Sequence, residues 1–153
     1  MKIDNEIYTL FTDGGASPNP GEGAAAWFIR DPAGAVTEGA RYCPGTTNNR
    51  MELQAVIDGL SRIPKGAGVA LYADSQYVQK GMTDWIIKWK KNFWKTSNKT
   101  DVLNRDLWEC LDALASGYSI TWQWVKGHSG HAENERCDAL VQEARRLRKD
   151  IGA

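Results

Sequence analysis

Four acidic residues stand where folding could bring carboxylates together: Asp13, Glu52, Asp74 and Asp138. Asp13 closes the β-branched and aromatic run Ile7–Thr12 and is followed at once by Gly14-Gly15, the pattern of a strand ending in a turn. Asp74 follows the short apolar run 69–73 in the same way, while Glu52 and Asp138 fall in the expected first turns of two helices. Carboxylates at strand C-termini and nearby helix starts converge on one edge of an α/β sheet, where ligand sites form. Like charges gathered there repel unless divalent cations neutralise them, and Mg²⁺ is typically held by a few carboxylates, retained waters and substrate phosphate oxygens. Such a cluster predicts metal-assisted phosphoryl chemistry. Taken singly, three of the acids keep a plainer reading: Asp13 as a turn residue, Glu52 and Asp138 as acids favoured near helix N-termini.

Positioning these residues takes a mixed α/β frame. After the strand at 7–12, the Gly/Pro-rich run 14–23 reads as a loop, and 24–30 and 36–42 read as strands joined by a hairpin turn at Asp31-Pro32-Ala33-Gly34. From Asn49 the period changes: Leu53, Val56, Ile57 and Leu60 fall at i, i+3, i+4 and i+7 with Ile63 continuing, one apolar face of a helix that stops near Pro64. Residues 69–73 form the next strand; 75–92 read as one or two short helices broken at Gly81; 93–101 read as a polar loop. Helical spacing returns over 102–115 through Leu103, Leu107, Cys110, Leu111 and Leu114. In 119–125, Ile120, Trp122 and Trp124 share one face of a strand. Cys137, Leu140, Val141, Ala144 and Leu147 mark a last helix, whose basic end at Arg145, Arg146, Arg148 and Lys149 suits the helix dipole. Early strands followed by alternating helices and strands predict an α/β layer fold with a mixed sheet of about five strands.

At 153 residues the chain is expected to form a single domain over 1–153, and 42% apolar with 25% charged residues excludes general disorder. Nineteen basic residues balance nineteen acidic ones, so attraction to a polyanion must come from a local patch. Between 80 and 99, Lys80, Lys88, Lys90, Lys91, Lys95 and Lys99 stand against one acid, Asp84, and interleave with Trp85, Trp89, Phe93 and Trp94. That mixture suits phosphate contact and sugar packing. Core tryptophans under a solvated lysine face remain the alternative for Trp89 and Trp94; Trp85 is the candidate contact.

No apolar run approaches a membrane span, and Asp4 and Glu6 stand where a signal peptide needs a positive and then an apolar region; a cytoplasmic protein without a membrane span is expected. Cys43, Cys110 and Cys137 are odd in number and widely spaced, which predicts reduced core residues. Two motifs fail on context. Gly21-x-Gly23-x-x-Ala26 fits a loose dinucleotide fingerprint but follows Pro18-Asn19-Pro20 rather than a strand. His128, His131 and Cys137 lack a fourth zinc ligand at suitable spacing.

Thr12-Asp13-Gly14-Gly15, Thr46-Thr47-Asn48-Asn49-Arg50-Met51-Glu52-Leu53, Ala73-Asp74-Ser75-Gln76-Tyr77-Val78, Trp124-Val125-Lys126-Gly127-His128 and Asn134-Glu135-Arg136-Cys137-Asp138 closely resemble, in order, the motif series of bacterial ribonuclease HI, of the type 1 ribonuclease H family. The resemblance spans positions 7 to about 145. It implies a ribonuclease H-like fold, a five-stranded mixed sheet flanked by helices. It implies an endonuclease that hydrolyses the RNA strand of RNA/DNA hybrids and leaves 3′-hydroxyl and 5′-phosphate ends. Asp13, Glu52, Asp74 and Asp138 take the family's metal-binding catalytic positions, for two Mg²⁺ ions roughly 3.5–4 Å apart with Asp13 bridging, Mn²⁺ serving as substitute. His128 matches the family's loop histidine, which assists proton transfer or product departure.

The same resemblance implies a hybrid-binding surface. Asn19, Asn48 and Gln76 match positions that contact the minor groove, where the 2′-hydroxyl marks RNA. Asn49 matches a position facing the DNA strand, and Thr47 and Asn104 resemble parts of a phosphate-binding pocket; a turn or capping role stays open for Asn104. Gly14 and Gly15 match a close approach to the RNA strand. The segment with Trp85, Lys90 and Lys91 resembles the basic protrusion that grips the DNA strand. A monomer without an obligate protein partner is implied. A catalytically silent binding module is disfavoured by the complete acidic quartet, and a nuclease for DNA junctions or transposon ends by the basic segment and the Asn48-Asn49 pair.

Overall fold

The computed structural model describes residues 6–125 and 131–152, and in it five strands form one sheet in the order β3-β2-β1-β4-β5. β1 (Ile7–Ala16), β2 (Gly21–Arg30) and β3 (Val36–Thr46) make an antiparallel meander. β4 (Gly68–Ala73) pairs in parallel with the other side of β1, and β5 (Ser119–Trp124) pairs in parallel with β4. The helices are α1 (Asn48–Leu60), α2 (Gln76–Lys80), α3 (Ile86–Lys91), α4 (Arg105–Ala115) and α5 (Ala132–Leu147).

Alternation along the strands builds two cores. Leu10, Trp27, Ile29, Val69, Leu71 and Ala73 pack on α1 residues Leu53, Val56, Ile57 and Leu60 and on Leu107, Trp108 and Leu111 of α4. On the opposite face Phe11, Ala24, Ala26, Phe28 and Ala40 meet Cys137, Leu140, Val141 and Ala144 of α5. The fold is thus the expected mixed five-stranded sheet with helices on both faces.

Several boundaries differ from the sequence reading, each for a tertiary reason. β1 does not stop at Asp13: Asp13, Gly14, Gly15 and Ala16 stay paired with Ala26, Ala25, Ala24 and Gly23, so the expected loop 14–23 shrinks to 17–20. Gly14 serves close packing, because a Cβ there would run into the Met51 carbonyl group and sit 2.7 Å from the Glu52 nitrogen. α1 begins at Asn48, capped by Thr47 Oγ1, which accepts from the Arg50 amide at 3.2 Å; Glu52 therefore lies in the second turn. α5 begins at Ala132, so Asp138 also lies in its second turn, and Glu133 and Glu135 occupy the first. The dipole account of Glu52 and Asp138 falls with that correction, since the effect fades beyond the first turn.

Gly81 does not break the helix. The backbone continues from α2 through a π-turn at Gly81–Trp85 into α3, and the ring of fully buried Trp108 occupies the space a Gly81 side chain would need. The helix expected over 102–115 starts at Arg105; Val102 turns inward and Leu103 is 75% exposed. Leu147 is likewise exposed. Of the three free cysteines only Cys137 is core; Cys43 is half-buried and Cys110 exposed.

Candidate active site and nucleic-acid surface

Strand register brings the first two acids together. Phe11 and Tyr72 are the last partners in the β1–β4 parallel ladder, and their rings stack at 4.6 Å with 13° between planes. Asp13 stands two residues further along β1, on the same side as the Phe11 ring by the strand period, and Asp74 follows directly after the end of β4. Glu52 arrives through the Gly14 contact, which lets the α1 backbone press on β1. Ser75 orients it: the Ser75 hydroxyl donates to Glu52 Oε2 and accepts from the Val78 amide at 3.1 Å as the N-cap of α2. Asp138 follows Cys137, whose thiol donates to the Phe11 carbonyl at 3.4 Å and pins α5 to β1.

The electrostatics report this convergence. Burial, then the charges of Asp74 and Asp138, and last that of Glu52 push the Asp13 carboxyl up to about 8, against the lowering effect of the Gly14 amide. Burial also lifts Glu52 to about 7, opposed by the Ser75 hydrogen bond and aided by the charge of Asp74. Both acids hold their protons near neutrality unless positive charge is supplied. Among the described residues no three His, Cys, Asp or Glu side chains are already arranged as a ligand set. The fit to Mg²⁺ lies in donor chemistry: Asp13, Glu52, Asp74 and Asp138 offer hard oxygens, and Asp13, Glu52 and Asp74 line one small cleft with Ser75, Val56 and Val78.

A family match covers residues 5–146 and is to RNase H. The chain belongs to the RNase H family. This is a family of nucleases, and the chain is therefore a member of a hydrolase family. The chain is 49% identical over 144 residues to a protein named ribonuclease H from Syntrophotalea carbinolica, covering 94% of each. It is 50% identical over 133 residues to ribonuclease HI of Haemophilus ducreyi, covering 87% of this chain and 86% of that one. Among solved structures, LC9-RNase H1, described as a type 1 RNase H with the type 2 active-site motif, superposes with a TM-score of 0.83 at 28% identity, covering 98% of this chain and 77% of that one. RNase H1 from the halophilic archaeon Halobacterium salinarum gives a TM-score of 0.65 at 28% identity over 90% of this chain and 96% of its own.

Around the carboxylates, several of the amides expected at the substrate surface are tied together. Asn19 Oδ1 accepts from the Asn48 amide at 3.1 Å, and Asn48 Oδ1 accepts from the Ala16 amide at 2.7 Å, so the 17–20 loop is tied to the start of α1. Asn104 takes a left-handed conformation, φ 60°, at the N-cap of α4 without a side-chain capping bond. Its side chain instead accepts from Arg50 Nη1 at 3.1 Å and donates to Tyr77 Oη at 3.0 Å. Arg50 also pairs with Asp106 at 2.7 Å. Thr47, Asn104 and Arg50 are thus neighbours, although Arg50 drew no attention in the sequence. Asn49 is half-buried and Gln76 exposed.

The basic segment is partly neutralised. Lys90 pairs with Asp112 at 3.3 Å and Lys95 with Asp101 at 2.5 Å, acids that lie outside the 80–99 window. Lys80, Lys88, Lys91 and Lys99 are exposed. Trp89 and Trp94 pack against the core, while half-buried Trp85 makes ring contacts with Tyr77 at 5.8 Å and Trp89 at 5.8 Å. His128, with Gly127, Ser129 and Gly130, lies outside the described residues. Ser75 lines the cleft with the acids, and no periodicity marks it; only its place in the motif could have found it.

Proposed function

We propose that the chain is an endonuclease that hydrolyses the RNA strand of RNA/DNA hybrids, with two Mg²⁺ ions at one site and 3′-hydroxyl and 5′-phosphate products. The observation that carries this reading is the small cleft on which Asp13, Glu52 and Asp74 converge, where burial and the charges of Asp74, Asp138 and Glu52 raise the Asp13 carboxyl. A site so short of positive charge is suited to divalent cations and, through them, to a phosphodiester. All four acids belong to one chain, so a monomer suffices.

Bound there, the ions supply the Lewis-acid charge that makes water nucleophilic at neutral pH and steadies the departing oxygen. The residues of the chain do the positioning. Asp13 on β1 would hold the ions together with Glu52, which Ser75 aims, with Asp74 just past the end of β4 and with Asp138 on α5. Attack on phosphorus breaks its bond to the 3′-oxygen, and His128 is assigned to carrying the proton or easing departure. Asn19, Asn48 and Gln76 read the 2′-hydroxyl-bearing strand, Asn49 faces the DNA strand, Thr47 and Asn104 take a phosphate, and Gly14 lies close to the RNA. Trp85, Lys90 and Lys91 hold the DNA strand.

The test compares RNA/DNA, RNA/RNA and DNA/DNA duplexes with Mg²⁺ or EDTA. Cleavage confined to the RNA of the hybrid and abolished by EDTA is the expected result. Asp13→Asn should abolish cleavage while hybrid binding persists; full activity in that variant overturns the assignment.

A further inference from the structure

Helix α3 ends in a motif whose sequence does not suit its backbone. Asn92 is the C-cap, and the amide of Trp94 returns to the Trp89 carbonyl at 2.7 Å. The rings of Trp94 and Trp89 meet at 6.2 Å, which completes the hydrogen bond and apolar contact of a Schellman ending. The residue after the C-cap in this motif is left-handed and is usually glycine. Here it is Phe93, at φ 55°, followed by Trp94 at φ 61°. Trp94 gains a place against the core. Phe93 gains nothing of the kind: it is 81% exposed and belongs to none of the buried clusters. The chain therefore tolerates both a disfavoured backbone conformation and a solvated aromatic ring at one exposed point.

That point lies in the most lysine-rich stretch of the sequence. Lys88, Lys91 and Lys99 are exposed, and Lys90 and Lys95 are steadied by Asp112 and Asp101. An apolar ring among lysines matches a polyanion that also carries flat or apolar faces between its charges. Nucleic acid has that chemistry, with sugars and bases set between phosphates.

We infer that Phe93 is a substrate contact: its ring packs on a sugar or base of the bound duplex while the neighbouring lysines hold the flanking phosphates, away from the carboxylate site. This deepens the function proposed above and rests on its nucleic-acid substrate. Left-handed backbone at this position aims the ring outward, and the strain is retained for binding.

The test uses the intact chain and Phe93→Gly, which relaxes the backbone. The melting temperature should rise by roughly 2–4 °C, while an uncut RNA/DNA duplex in EDTA binds about fivefold or more weakly. In turnover the loss should fall on KM rather than kcat. Phe93→Trp should retain binding. The salt dependence of binding should keep its slope in Phe93→Gly, whereas Lys91→Ala lowers it by about one. Heparin, a polyanion without bases, should bind wild type and Phe93→Gly alike. Unchanged duplex binding overturns the inference, as does equal weakening toward heparin, or a change in oligomeric state in place of a change in binding. Because binding is read without cleavage, failure to cut hybrids would count against the proposed reaction and not against this contact.

Discussion

Gly14 lies against the backbone of Met51, with the first turns of α1 occupying the space of its absent side chain, and the Glu52 nitrogen sits 2.7 Å from where a Cβ would stand. This contact between β1 and α1 is what sets Glu52 beside Asp13. Gly14→Ala should push α1 off the sheet, costing about 1–3 kcal/mol and lowering hybrid cleavage at least tenfold. Gly15 is the control, because its Cβ would meet only Asn48 Oδ1 at an ordinary 3.5 Å. Urea denaturation of both variants checks the packing, and equal losses of stability in the two would refute it; cleavage rates are compared between wild type and Gly14→Ala.

The raised Asp13 and Glu52 carboxyls link stability to pH. Asp13 holds its proton up to about 8 when folded but releases it near 3.9 when unfolded. Over that interval the folded state binds more protons, so stability falls as pH rises. Glu52, lifted to about 7, adds a loss that is complete somewhat earlier. Melting in EDTA should therefore drop steadily from pH 5 to pH 8, Asp13→Asn should flatten most of the slope, and Mg²⁺ should restore stability at pH 8 by mass action. A melting temperature that climbs with pH in EDTA would contradict the assigned direction.

Ser75 joins the N-terminus of α2 to Glu52. Ser75→Ala loses the cap, worth about 1 kcal/mol, and leaves Glu52 without its guide. Mg²⁺ binding, followed by calorimetry, should weaken severalfold, and Ser75→Thr, which keeps the hydroxyl, should recover it. An identical Mg²⁺ titration for wild type and Ser75→Ala would reduce Ser75 to a helix cap alone.

Arg41 of β3 and Asp58 of α1 form a lopsided pair. The guanidinium donates at 2.7 and 3.0 Å to a carboxylate that is buried, while Arg41 itself is 47% exposed at the side chain. Arg41→Ala leaves a buried anion supported by Gln54 at 2.9 Å, a loss of about 3 kcal/mol. Asp58→Asn leaves a cation that water can solvate, and should cost less than half as much. Chemical denaturation of the two variants measures the asymmetry.

The sequence alone determined the element types and singled out the acids proposed as reactive groups. Period-2 and period-3.6 patterns depend on residues a few positions apart, so the strands around Leu10 and Leu71 and the stripe Leu53, Val56, Ile57 and Leu60 were legible from local spacing. The four acids were legible from their motifs. Only the tertiary structure decided how these parts meet. The β1–β4 register that ends at Phe11 and Tyr72 aligned Asp13 with Asp74, and the Trp108 ring gave Gly81 a packing role in place of a break. Asp101 and Asp112 removed two lysines from the free basic surface. Register, close approach and ion pairing are long-range contacts, and local patterning carries no record of which distant backbone or charge will fill the space beside a residue.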